Sequence, residues 1–141
     1  MVVAGLQRKA LHRIFALVLI AMILGASSVR AQVPPSVSLG FVDQPPLSVV
    51  SGESFQISVE LLSDGNRIAD ADDSICLELV LPEGAENLFL GGTIGRPASN
   101  GFAFFDISVL NLSGGPVEGL RVRAFNETNP SMTEALSEPF G

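Results

Sequence analysis

The chain has 141 residues, close to half of them hydrophobic, with eight basic residues against fifteen acidic ones and a single cysteine, Cys76. One cysteine excludes an intrachain disulfide framework, and the acidic balance disfavours phosphate backbones and anionic headgroups as partners. The only histidine is His12, and the chain has neither Trp nor Tyr.

Residues 1–31 read as a secretory signal peptide. Arg8, Lys9 and Arg13 form a basic end, Ile14 to Ala26 an apolar run, and Val29 and Ala31 a small-residue pair before cleavage. Ala26-Ser27-Ser28 offers a second cleavage point. The competing interpretation is a retained anchor, which needs about 20 apolar residues, more than this run supplies. No cysteine follows the run, so a lipid anchor on cysteine is excluded. The chain is therefore expected to be secreted, periplasmic or on the cell surface, with no membrane insertion after cleavage.

Residues 32–141 then form one expected domain with four arginines, no lysine and all fifteen acids, a net charge of −11. Nucleic acid is excluded as a partner. His12 leaves with the signal, so neither a Ser-His nor a Cys-His nucleophile system can be assembled.

The elements follow in chain order. Ser36 to Phe41 and the pair Val49-Val50 read as edge strands, bracketed by Pro34, Pro35, Pro45 and Pro46. Ser54 to Leu61 alternates, with Phe55, Ile57, Val59 and Leu61 on one face, and turns at Ser63-Asp64-Gly65-Asn66. Ile75, Leu77, Leu79 and Leu81 share a face of the next strand, which Pro82-Glu83-Gly84 stops. Leu88 to Leu90 is a shorter strand. Gly101 to Leu110 places Ala103, Phe105, Ile107 and Val109 inward, and Leu120 to Phe125 follows the break at Gly114-Gly115-Pro116. Ser137 to Phe140 closes the set. About seven short strands in this length predict an all-β, immunoglobulin-like antiparallel sandwich. Cys76, in the apolar segment Ile75 to Leu79, reads either as a small packed residue or as a reactive thiol.

From Phe41-Val42-Asp43-Gln44-Pro45-Pro46 onward the order of elements resembles a bacterial immunoglobulin-like (Big or filamin-type) repeat module of secreted and surface proteins. The turn Ser51-Gly52-Glu53, the strand Phe55 to Glu60, the hairpin Asp64 to Ile68 and Ile75 to Leu79 come next. Leu90-Gly91-Gly92-Thr93, Asn100 to Phe105, Leu120 to Ala124 and Ser137 to Phe140 complete it. The resemblance spans Phe41 to Phe140 and implies a spacer or adhesive unit without catalytic residues. Such modules occur as repeats, whereas one copy is present here.

Two sets of residues are candidate sites. The family's pattern usually has a polar residue between the core positions that here are Ala103 and Phe105; this chain has Phe104 there, with Phe102 on the same face. An outward aromatic pair marks a contact surface for a protein partner, unless a neighbouring loop covers it. Asp64, Asn66, Asp70, Asp72 and Asp73 cluster in sequence and offer oxygen ligands to Ca²⁺, or simply a solvated acidic loop; the spacing is not that of an EF-hand. No other cofactor is expected. Asn111-Leu112-Ser113 and Asn126-Glu127-Thr128 match the N-glycosylation pattern. The expected function is non-catalytic adhesion or docking. The alternatives are a structural spacer, a fragment of a longer surface protein, or a small secreted calcium-binding domain.

Overall fold

Alternation in the sequence becomes pleat most clearly in two ten-residue strands, Ser54–Ser63 and Phe102–Asn111. They pair antiparallel from Ser54↔Ser108 to Glu60↔Phe102 and bury Ile57, Val59, Leu61, Ala103, Phe105, Ile107 and Val109 on one side. The computed structural model describes residues 33–141; the expected signal peptide lies outside the described residues.

Nine strands are present among the described residues: β1 (Val37–Asp43), β2 (Ser54–Ser63), β3 (Asn66–Arg67), β4 (Ser74–Val80), β5 (Leu88–Gly92), β6 (Gly95–Pro97), β7 (Phe102–Asn111), β8 (Arg121–Asn126) and β9 (Ala135–Leu136). One sheet runs β1-β2-β7-β5, with β3 beside β2; the other runs β6-β4-β8-β9. Every ladder between these strands is antiparallel. Ile75, Leu77, Val122 and Ala124 of the second sheet join the inward residues of the first in one core, closed at its ends by Leu120, Met132 and Phe140. Each large side chain in it contributes about 1.5–3 kcal/mol by leaving water. The result is a β-sandwich. With the short β3 and β6 set aside, the strands follow the seven-strand immunoglobulin order, A-B-E-D facing C-F-G.

The differences from expectation sit at the edges. β3 and β6 are additional strands of two and three residues. Val49-Val50 is not a strand; it lies in the connection between β1 and β2. The closing strand is Ala135–Leu136, while Phe140 makes only an isolated bridge to Leu120. Leu81 falls beyond the end of β4 and is exposed.

Two devices join the sheets along their sides. Residues 88–97 begin as β5 against β7 and end as β6 against β4, so one passage of chain switches sheets. The corner needs Gly92, at φ +90°, where a Cβ would collide with the Asp106 carbonyl. On the opposite side β1 and its following loop run parallel to residues 133–141. Thr133 N donates to the Val37 carbonyl (3.0 Å) and Leu39 N to the Thr133 carbonyl (2.8 Å). Glu138 N donates to Gln44 Oε1 (2.9 Å). Gly141 N then donates to the Leu47 carbonyl (3.1 Å) and Val49 N to the Gly141 carbonyl (3.3 Å).

A bulge at Val42 bends β1, since Phe41 faces Val59 while Asp43 faces Ser58. Asp43 N donates to Ser58 Oγ (3.2 Å) and the Ser58 hydroxyl donates back to the Asp43 carboxylate. That reciprocal pair satisfies a serine buried on the outer side of β2.

Candidate functional site

The outward row of β7 is Phe102, Phe104, Asp106, Ser108 and Leu110, because its inward row fills the core. Phe104 stands across from Ser58 and is 58% exposed. Phe102, across from Glu60, is only half-buried, because the Arg67 guanidinium lies over its ring at 4.2 Å from the centroid. The two rings are 5.9 Å apart and tilted by 32°. Arg67, Phe102 and Phe104 thus form a short column on the outside of the first sheet. Arg67 arrives through β3, whose register sets it opposite Leu62. Gly101, at φ +77°, brings the start of β7 against the Ile68 carbonyl, where a Cβ would not fit.

On the other flank, the β5 ladder ends at Gly92↔Ile107 as the chain leaves for the second sheet. Arg96 fills that gap, its Nη1 donating to the Phe104 carbonyl. The outward aromatic pair expected from the sequence is therefore present as a pair, with two arginines around it that sequence reasoning missed. At the far end of the same face Phe89 (53% exposed) stands across from Leu110, with Leu112 beyond it. The even-numbered row from Phe102 to Leu112 signals the two leucines; Phe89 joins them through a register that no local pattern announces.

The five oxygen-bearing residues proposed for Ca²⁺ are not gathered. Asp64 accepts from Ser36 N (3.0 Å) and Ser36 Oγ (3.2 Å), fastening the β2–β3 turn to the start of β1. Asn66 donates to the Asp64 carbonyl (3.3 Å). Asp73 accepts from Asn126 Nδ2 (2.6 Å) just before the start of β4, while Asp70 and Asp72 are exposed between them. Among the described residues no group of three or more His, Cys, Asp or Glu side chains is placed to hold a metal ion.

Asn126 is buried, and its amide nitrogen is committed to Asp73, so the second glycosylation pattern has a structural use. Asn111 likewise donates to the Gly115 carbonyl (2.7 Å) and accepts from Ser113 N and Oγ. Cys76 faces outward on β4, across from Phe125, rather than into the core. Its thiol is pushed up by partial burial first and then by Glu127, whose carboxylate accepts from Sγ at 3.5 Å. It is held as the neutral thiol, the poorer nucleophile.

A cleft of about 430 Å³ opens at the end of the sandwich where the 48–51 and 114–118 loops meet, floored by Leu88, Val109 and Leu120. Glu118 is its one charged lining side chain. No family model matches the chain, and no match is found among curated proteins or solved structures.

Proposed function

We propose that this chain is an exported, non-catalytic immunoglobulin-like module of the bacterial surface-protein kind, which docks onto another extracellular or periplasmic protein. The observation that carries the reading is Phe104, 58% exposed beside Phe102 on the outer face of a fully formed sheet. An aromatic ring held in water on a rigid strand adds nothing to the core, and desolvating it against a partner is favourable. Phe105, its neighbour, supplies the core instead.

The test is capture of proteins from the native envelope and culture medium with the chain from Gln32 onward. The Phe104→Ser variant is run beside it, because Phe102 also packs under Arg67. A partner held by the parent and lost by a variant of unchanged melting temperature supports docking through this face. Identical capture by both excludes it.

A further inference from the structure

Resting on that docking reading, we infer that the partner meets the Phe102–Phe104 surface with carboxylates, and that Arg67 and Arg96 receive them. Residues 33–141 contain only four cations, all arginines, among fifteen acids. Among the described residues the only salt bridges are those of Arg123, to Glu78 and to Glu134. Arg121 donates to the Ser137 carbonyl. Three guanidinium groups among the described residues therefore have no carboxylate within salt-bridge distance, and two of the three, Arg67 and Arg96, flank the aromatic pair.

Each has donors to spare. Arg67 holds its guanidinium carbon 4.2 Å from the Phe102 ring centroid and makes no salt bridge, so none of its N–H groups is committed to a carboxylate. Arg96 spends Nη1 on the Phe104 carbonyl and keeps the rest of its fork. A fork of this shape matches a carboxylate, two N–H groups to two oxygens. Arginine and aromatic side chains together are also the composition enriched in interface centres.

Charge points the same way. Glu60, across from Phe102, and Asp106, the next outward residue of β7, balance the two arginines. The patch is therefore neutral within a domain of net charge −11, so an acidic segment meets less repulsion there than the charge of the whole domain implies.

The probe is a blocked pentapeptide of four glutamates around a central phenylalanine, with glutamine and lysine counterparts of equal length. They are titrated into the ¹⁵N-labelled chain from Gln32 onward, which contains the whole core, and amide shifts are followed. The acidic peptide should move the Arg67 and Phe102–Phe104 amides saturably, more tightly than either counterpart. Arg67→Gln with Arg96→Gln should weaken it roughly tenfold at unchanged melting temperature. Equal binding of the glutamine or lysine peptide, no shift at these amides, or an unchanged affinity in the double variant overturns the inference. If that variant does not fold, the peptide series on the parent still decides. Failure here is separable from failure of docking itself, because capture of an envelope protein that depends on Phe104 would persist in the first case and be absent in the second.

Discussion

Asn126 divides its carboxamide three ways: Nδ2 to Asp73 (2.6 Å) and toward Met132 Sδ (3.4 Å), and Oδ1 to the Asn129 N–H (2.8 Å). With Thr128 Oγ1 accepting from Ser74 N, it ties the end of β8 to the start of β4 over more than fifty residues of chain. Such a partnership leaves no local mark, which is why Asp73 reads as an acidic-loop ligand until the register is known. Cys76 carries a testable consequence at the same scale. Its thiol titrates above the ordinary cysteine range in the folded protein, so the unfolded chain ionises first as pH rises. Folding stability should therefore be unaffected below the ordinary thiol range and fall above it, up to the folded value. Cys76→Ala should flatten that part of the curve, measured by denaturant unfolding from pH 7 to 10, and a thiol-alkylation rate below that of a free cysteine should accompany it.

Elements differ in how plainly they announce themselves. β2 and β7 were legible because the alternation over Ser54 to Leu61 and over Phe105 to Val109 leaves one choice of face, and extending the second back along the strand places Phe102 and Phe104 outward. β3 and β6 were not, since two or three residues hold no period; their existence depends on the strand that each lies beside. Arg67 and Arg96 sit on those two short strands, so the charged flanks of the site were hidden for the same reason. The corner between β5 and β6 is where one residue controls an element. Gly92→Ala places a Cβ at positive φ against the Asp106 carbonyl and should cost roughly 2 kcal/mol in chemical unfolding. Gly115→Ala, at ordinary φ with open space around it, should change stability by less than about 0.5 kcal/mol.

At the level of the whole molecule, the parallel contacts of residues 37–49 with residues 133–141 decide how the sandwich responds to load. A pull between residues 35 and 141 draws these two segments in opposite directions along their own length. The backbone bonds at Thr133 and Gly141, with the Gln44–Glu138 bond between them, then resist together instead of parting one after another. The two anchoring ends of the domain are in this sense bolted to each other across its side. Single-molecule stretching from residue 35 to residue 141 should give a higher rupture force than stretching from residue 35 to residue 65, which starts at the adjacent ends Val37 and Ser63 and peels β1 from β2 bond by bond. Gln44→Ala should lower the first and leave the second unchanged. A module built this way holds its shape under tension for as long as its outermost strand stays fastened.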